Sequence, residues 1–352
     1  MGITEESDRQ QRMRQVWETR QRRFKEGKDA FNKGKQILQD KLTKKVPSKA
    51  LEVMSEEVKV LYVKTLAAQS LVDGQTHPEK VADIYLFMSQ IDLQPEARMQ
   101  VRQFLDQDDT GPSKVLELAS KTVIKAKSHR DEIAFSLIKD MVRVSRVGGE
   151  PSQPERESIA EVAIEFGYDA SEAISLAGKT IEQDEAFING EVTISELEKR
   201  MKQLAAQATS IGAPIAALYI SGSVVGLSAA GVTSGLAWLG LGGLLGFSSM
   251  VTGIGVVVLI GASTYTGARR LMGGKERELK KRREYMIQEV IKRHQKAMVD
   301  LADDINSIAE KLEEYMSQSD RNESRLSQLE KELRIFKSAM KALQSEEKRY
   351  AA

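Results

Sequence analysis

Residues 203–268 read QLAAQATSIGAPIAALYISGSVVGLSAAGVTSGLAWLGLGGLLGFSSMVTGIGVVVLIGASTYTGA, and these 66 residues include no Asp, Glu, Lys, Arg or His. Charged residues make up 29% of the whole chain, so this stretch stands apart from the rest. As one helix it would be about 99 Å long, whereas about 20 residues suffice to cross the hydrocarbon layer of a bilayer. The sequence therefore predicts a membrane-inserting helical hairpin at 203–268, within an otherwise helical and charged protein.

The apolar stretch divides most simply into two spans, at about 211–233 and 244–265, joined by a Gly-rich connection. Six glycines form three pairs with a spacing of four residues, which permits close backbone approach where helices pack in lipid. The pairs are Gly222 with Gly226, Gly231 with Gly235, and Gly242 with Gly246. The alternative is a soluble core that buries the stretch permanently, and such a core needs a large surrounding shell.

Basic residues flank the apolar stretch on both sides. The first group is Lys199, Arg200 and Lys202, and the second is Arg269, Arg270, Lys275, Lys280, Lys281, Arg282 and Arg283. Because basic residues prefer the cytoplasmic side, these groups favour an even number of crossings with both soluble parts in the cytoplasm. We therefore expect a bacterial inner-membrane protein, the alternative being a soluble cytoplasmic protein before triggered insertion. The same side chains are candidates for binding anionic lipid headgroups.

The N-terminal region, residues 1–47, is predicted to be a basic amphipathic helix. Trp17, Phe24, Phe31 and Leu38 recur every seven residues, and residues 1–45 hold 13 Lys and Arg against 7 Asp and Glu. Two interpretations stay open: the helix packs on the C-terminal coiled coil, or it lies on an anionic membrane surface.

Residues 48–182 contain an internal repeat with an offset of 75, at about 50–110 and 113–180. In each copy an apolar helix is followed by a short polar loop with Pro-Glu and then an amphipathic helix. Apolar positions correspond between the copies, for example Ile84 with Ile159 and Ile91 with Phe166. Two half-buried helix pairs of this kind are expected to complete one core by packing on each other.

The repeat resembles the TerB-like domain of tellurite-resistance proteins and some membrane-anchored co-chaperones. The residues that carry the resemblance are Val72-Asp73-Gly74 with Pro78-Glu79, and Gly148-Gly149-Glu150 with Pro154-Glu155. The resemblance implies an all-helical, duplicated fold and a link to stress and phage resistance.

The resemblance also implies that acidic loop residues bind a divalent cation. Asp73, Glu79, Glu150 and Glu155 are the candidate oxygen ligands. Gly148 stands where the first copy has Asp73, which argues against two equivalent metal loops. The alternative is that these carboxylates cap helix N-termini, where free N–H groups and the helix dipole favour negative charge. No other cofactor is expected.

Residues 183–202 are predicted to be a linker and helix, in which Thr193 and Glu196 have the spacing of a capping box. Residues 269–352 follow the apolar stretch as a basic juxtamembrane segment and a coiled coil. Its apolar residues alternate by four and three from Ile287 to Tyr315 and again from Leu326 to Leu343. This pattern predicts an antiparallel helical hairpin or a self-associating stalk.

Several function classes are excluded by composition. The chain has no cysteine, so disulfides and thiolate metal sites are excluded. A net charge of +1 argues against a nucleic-acid partner. No phosphate-binding loop, HExxH zinc motif or GxSxG nucleophile elbow is present. We therefore expect a protein that is not an enzyme.

Two functions remain as hypotheses for an all-α protein of this organisation. The first is a membrane-anchored bacterial stress or phage-defence protein whose TerB-like domain and coiled coil recruit or sense a partner. The second is an α-helical pore-forming effector that stores its apolar hairpin and inserts on a trigger. The expected partners are a lipid bilayer with anionic lipids and either further copies of the chain or a coiled-coil protein.

Overall fold

The computed structural model describes residues 54–105, 111–218, 274–317 and 323–351. Within these ranges the regular structure is helical and includes no strand, so the predicted all-α class is confirmed. The α-helices are α1 (Glu56–Ser70), α2 (Pro78–Gln90), α3 (Pro95–Leu105), α4 (Pro112–Lys125), α5 (Arg130–Arg146), α6 (Gln153–Glu165), α7 (Ala170–Asn189), α8 (Ile194–Ser210), α9 (Gly274–Ser317) and α10 (Glu323–Ala351). Short 3₁₀ helices cover Lys127–His129 and Ile215–Leu218. The predicted helix at 1–47, the six paired glycines, Arg269 and Arg270 lie outside the described residues.

Helix α1 lies at the centre of the bundle formed by α1 to α8. Ser55 caps its start by accepting a hydrogen bond from the Val58 N–H, and Glu56 and Glu57 place negative charge in the first turn, where the helix dipole favours it. The helix contacts α2, α3, α4 and α5, and most of its circumference is buried. Its apolar residues are therefore spread around the helix instead of forming one stripe.

The ends of α2 and α6 have the same geometry, 75 residues apart. The chain passes into the left-handed region after each helix, at Asp92 with φ of 54° and at Gly167 with φ of 81°. The closing hydrogen bonds run from Leu93 N–H to the Met88 carbonyl at 3.0 Å and from Tyr168 N–H to the Ala163 carbonyl at 2.9 Å. Both ends thus satisfy a terminal helix carbonyl by the same local turn.

Helix α8 begins as the sequence predicts. Thr193 accepts from the Glu196 N–H, and the Glu196 side chain accepts from the Thr193 N–H at 2.9 Å, so the predicted capping box is confirmed. These bonds satisfy two N–H groups that lack partners within the helix.

The first residues of the apolar stretch belong to the bundle. Helix α8 continues to Ser210, and the chain then turns at Gly212, whose φ is 75°. The 3₁₀ helix Ile215–Leu218 packs on α5, and Ala213, Ala217 and Leu218 are buried. Residues 203–218 are therefore a helical segment, a turn and a short 3₁₀ helix that pack on the bundle.

In the parts of the chain that the structure describes, no helix is both long enough and apolar enough to cross a membrane. This finding contradicts the expected localisation in the bacterial inner membrane, so that prediction is wrong. The physical reason is visible at the first predicted span, 211–233, whose opening residues turn and pack on α5 instead of extending as one apolar helix. The remainder of both predicted spans lies outside the described residues.

Helices α9 and α10 pack on each other and together on α2. Leu301 and Ile308 of α9 and Leu329 and Leu343 of α10 belong to the same continuous core as the residues of α1 to α7. The α9–α10 pair is therefore an integral layer of the folded body.

The buried side of α9 differs in part from its predicted apolar seam. The structure buries Val290 and Ala297 completely, whereas the neighbouring seam residues Ile291 and Met298 are partly exposed. Because α9 contacts α2 and α7 as well as α10, its buried surface is turned toward the bundle.

Candidate functional site

The most unusual polar feature of the described structure is the interface between the bundle and the α9–α10 pair. We call it the polar clamp, and it consists of Tyr85, Arg98 and Arg102 on the bundle and Asp300, Asp304 and Glu332 on the helix pair. All of its contacts join residues more than 200 positions apart in the chain. It is therefore created by tertiary packing alone.

Two arginines one turn apart on α3 form the basic half of the clamp. Arg98 Nη1 donates to Asp300 Oδ1 at 2.7 Å, and its Nε lies 3.7 Å from Asp304 Oδ2. Arg102 Nε donates to Glu332 Oε1 at 2.9 Å, and its Nη1 lies 3.8 Å from Asp304 Oδ1. Asp304 thus lies between the two guanidinium groups, and α3 is bonded to both α9 and α10.

Tyr85 joins α2 to the same carboxylate. Its hydroxyl donates to Asp304 Oδ2 at 2.6 Å, and its ring meets Phe336 of α10 edge to face with centroids 5.5 Å apart. Burial and the neighbouring charge of Asp304 raise the pKa of the Tyr85 hydroxyl well above its usual range. The hydroxyl therefore stays protonated as a hydrogen-bond donor at physiological pH.

Further contacts join α9 to the end of α2 beside the clamp. Arg293 Nη1 donates to the Ser89 carbonyl at 3.1 Å, and the Ser89 hydroxyl donates to the Arg293 carbonyl at 3.2 Å. Lys296 forms an ion pair with Asp92, and its hydrogen bond lowers the pKa of the Asp92 carboxyl. These contacts fix the register of α9 along α2.

The ion pairs of the clamp are expected to select one docked geometry more than to add to the free energy of unfolding. Replacing a buried ion pair by apolar residues is often neutral, but removing one partner costs about 3–5 kcal/mol because a buried charge is left unpaired. Arg98 and Arg102 are only 8% and 7% exposed, so each depends on its carboxylate. Removal of either arginine or of its carboxylate partner is therefore expected to destabilise the docked position of the α9–α10 pair.

A second charged network lies deeper, between α2 and α5. Arg143 Nη1 donates to both carboxylate oxygens of Asp83 at 2.5 and 2.6 Å, and its guanidinium lies 5.3 Å from the Phe87 ring centroid. Tyr62 donates to Asp140 Oδ2 at 2.7 Å beside it. Burial raises the pKa of Asp83, and the charge of Arg143 opposes that rise. This network links the core of the bundle to the helix α2 that carries Tyr85.

Lys139 fixes the point where the described chain leaves the bundle. Its Nζ donates to the Leu218 carbonyl at 2.9 Å, and the residue is fully buried. Burial lowers the pKa of the Lys139 ammonium, and the charges of Asp140 and Asp184 oppose that change. Because Leu218 directly precedes residue 219, this bond holds one end of the remaining uncharged stretch on the bundle.

The candidate metal ligands are engaged separately. Glu155 forms the capping box of α6 with Ser152 and pairs with Lys80 Nζ at 2.7 Å. Asp73 Oδ1 accepts from the Gln75 N–H, and its other oxygen lies 3.2 Å from His77 Nε2. The remaining two candidates, Glu79 and Glu150, are exposed. Among the described residues no group of three or more His, Asp or Glu is placed to hold a metal ion, and Glu155 has the capping role that the sequence left as the alternative.

The described basic flanking residues lie on two helices, α8 and α9. Lys199 and Arg200 are exposed on α8. The guanidinium of Arg283 lies against Gly190, the left-handed C-cap of α7, where free carbonyls and the helix dipole favour a cation. Lys202 lies within α8, and Lys275, Lys280, Lys281 and Arg282 lie within the first part of α9.

Sequence reasoning missed the clamp. Its only local signal is the four-residue spacing shared by Arg98 with Arg102 and by Asp300 with Asp304, which places each pair on one helix face. Nothing in the sequence indicates that these two faces meet.

No family model, curated protein or solved structure matches the chain. The resemblance to the TerB-like domain therefore stays a prediction.

Proposed function

We propose that the protein is a non-enzymatic effector that permeabilises membranes. In this proposal the polar clamp keeps an apolar stretch from inserting into a membrane until a trigger separates the two halves of the clamp. One observation carries the proposal. Leu218 and α9 belong to the same folded body, and between them residues 219–268 continue for 50 residues without a charge. That length is sufficient for two helical spans of about 20 residues each.

The presence of the clamp favours a protein that is activated by a trigger over one whose α9–α10 pair is always separated from the bundle. Helix α9 begins at Gly274, shortly after the apolar stretch ends at Ala268, and the clamp bonds α9 to α2 and α3. Separation of the α9–α10 pair from the bundle would free one end of the stretch, while Lys139 and Leu218 hold the other. The exposed Lys199 and Arg200 would then favour anionic lipid.

The finer organisation belongs to the same proposal. The matching ends of α2 and α6 support an internal duplication of the bundle. Contacts between His294 of α9 and Glu346 near the end of α10, at 3.4 Å, support an antiparallel coiled-coil hairpin.

Dye release from vesicles tests the function. Full-length protein is added to vesicles rich in phosphatidylglycerol and to neutral vesicles, beside a variant that lacks residues 219–268. We expect leakage from anionic vesicles with the full-length protein and none with the deletion variant.

Charge variants of the clamp sharpen this test. Arg98→Glu places two carboxylates together and should lower the protein concentration that gives half-maximal leakage. The matched control, Arg98→Glu with Asp300→Arg, restores an ion pair and should return leakage to the parental level. Absence of leakage with every variant, including the opened one, would refute the proposal.

A second candidate function is recruitment of a protein partner in bacterial stress or phage defence. The observation that favours it is the pair of arginines beside Tyr85, which on opening would present a face suited to an acidic helix. This interpretation gains support if Arg98→Glu changes partner capture while vesicles stay intact.

A further inference from the structure

We propose that the polar clamp also forms between two copies of the chain, so that the α9–α10 pair of one copy docks on the α2–α3 face of the other. This inference rests on the opening step of the proposed function. It identifies a second copy as the partner of the opened surfaces.

The two halves of the clamp are complementary in charge. The bundle half offers Arg98 and Arg102, and the helix-pair half offers three carboxylates, Asp300, Asp304 and Glu332. When they separate, each half exposes charges that were nearly buried. A second opened copy carries the same two surfaces. In a domain-swapped dimer, each charged group of one copy pairs with the same residue type and number on the other copy as it did within its own chain.

The apolar contacts at the clamp also favour a second copy of the chain as the partner. Tyr85 is fully buried and Phe336 is 3% exposed in the closed arrangement, and their rings meet edge to face. An arbitrary acidic ligand would satisfy the arginines and leave these rings exposed. The α9–α10 pair of another copy covers both.

The connection between the two halves permits exchange. Residues 219–273 separate Leu218 from α9, and 55 residues span up to about 180 Å when fully extended. By residue count alone the connection is long enough for docking between copies, while docking within one chain is favoured by local concentration. Gathering molecules at high concentration shifts the balance toward docking between copies.

Charge reversal in separate chains tests the inference without lipid. One variant carries Arg98→Glu, and a second carries Asp300→Arg. Each alone has like charges at this position. In a reciprocal dimer of the two variants, the two substituted side chains would face each other with opposite charges at one interface. The unchanged Arg98 and Asp300 would face each other at the second interface, so both regain an ion pair.

Native mass spectrometry and light scattering of the equimolar mixture provide the measurement. We expect a 1:1 heterodimer at twice the chain mass of 39.1 kDa, at least tenfold more abundant than the dimer of either variant alone. The double variant in one chain should behave as the parent does and serves as the folding control. A mixture that equals the sum of its two components overturns the inference.

A second pair of charge-reversal variants tests the same inference in case a variant of the first pair fails to fold. Arg102→Glu and Glu332→Arg reverse the contact at 2.9 Å between Arg102 and Glu332 and are mixed in the same way. Failure of both mixtures to form heterodimers, with vesicle leakage intact, removes this inference and leaves the proposed function standing. Heterodimers without leakage from any variant refute the function and leave the inference standing.

Discussion

The hydroxyl of Tyr85 donates a hydrogen bond of 2.6 Å to the Asp304 carboxylate, across 219 positions of the chain. This bond joins α2 to α9, and Arg98 and Arg102 approach the same carboxylate from α3. Three helices therefore meet at one acidic side chain. The arrangement makes the docked α9–α10 pair sensitive to changes of a few atoms.

Removal of the Tyr85 hydroxyl should loosen the clamp. We expect Tyr85→Phe to lower the free energy of unfolding by about 1–3 kcal/mol, because the largely buried Asp304 carboxylate loses this donor while the ring packing on Phe336 is kept. Urea denaturation followed by circular dichroism measures the change. The control is Ser338→Ala, whose exposed hydroxyl bonds the Arg334 carbonyl of its own helix. Equal stability of the Tyr85→Phe variant and the parent would contradict the role assigned to this bond.

The buried ammonium of Lys139 should be essential for stability. Lys139→Met removes the donor to Leu218 and leaves the nearby charges of Asp140 and Asp184 less compensated. We expect a loss of about 1–3 kcal/mol in the free energy of unfolding, because the buried Leu218 carbonyl loses its donor while burial already disfavours the charged ammonium. Lys121→Met is the matched control, since Lys121 pairs with Glu117 on the surface and such pairs contribute about 0–1 kcal/mol. A Lys139→Met variant as stable as this control would show that the buried charge is dispensable.

Mild acid should not open the clamp at Asp300. Burial raises the pKa of the Asp300 carboxyl, and the charges of Arg98 and Lys296 oppose this rise. A carboxyl whose pKa is raised on folding binds more protons in the folded state, so its contribution to stability grows as pH falls toward the unfolded value and is lost as pH rises through the folded value. Relative to Asp300→Asn, the parent should therefore gain stability as pH falls from neutral toward about 4, the ordinary pKa of an aspartate.

Urea titrations of the parent and Asp300→Asn at several pH values measure this difference. Asp92 provides the opposite case, since its pKa is lowered by Lys296 and its contribution is lost only as pH falls below the usual range of a carboxyl. If the parent loses stability relative to Asp300→Asn over that interval, acid would instead be a trigger for opening.

Gly190 should tolerate a side chain less well than Gly74. Both glycines have φ of 76°, so alanine at either position is strained by about 1–2 kcal/mol. A Cβ at Gly190 also collides with the Arg283 guanidinium, whereas none of the described atoms lies within 4 Å of a Cβ at Gly74. We expect Gly190→Ala to lower the free energy of unfolding by about 0.3–1 kcal/mol more than Gly74→Ala does, because a cation at a helix C-terminus contributes about that amount. Thermal unfolding of the two variants compares them, and equal losses would mean that Arg283 moves away without cost.

Local signals in the sequence were sufficient for the helices and many of their ends. Thr193 and Glu196 form the predicted capping box because that motif needs only four consecutive residues. The apolar periodicity of residues 50–180 predicts amphipathic helices. The structure buries residues on their predicted apolar faces, including Ile84, Ile91 and Ile159. Helix propensity, capping and amphipathic spacing act within one or two turns, and they can be read from neighbouring residues.

Long-range features were beyond the same reasoning. Residues 211–218 have an uncharged composition that suits lipid, yet they turn and pack on α5, because Lys139 and a buried surface are available there. The seam of α9 is displaced toward Val290 and Ala297 because α2 and α7 cover it. Glu155 caps α6 and pairs with Lys80, a contact between residues 75 positions apart that no local motif predicts.

The sequence by itself determined that this protein is helical, that it lacks cysteine chemistry, and that a charge-free stretch divides its charged parts. Composition and short-range periodicity are sufficient for such conclusions. Only the tertiary structure decided that Arg98 and Arg102 meet Asp300, Asp304 and Glu332, and that the start of the apolar stretch belongs to the bundle. The reason is physical: an ion pair between distant helices exists only where packing brings their faces together and excludes water, and that depends on the whole core.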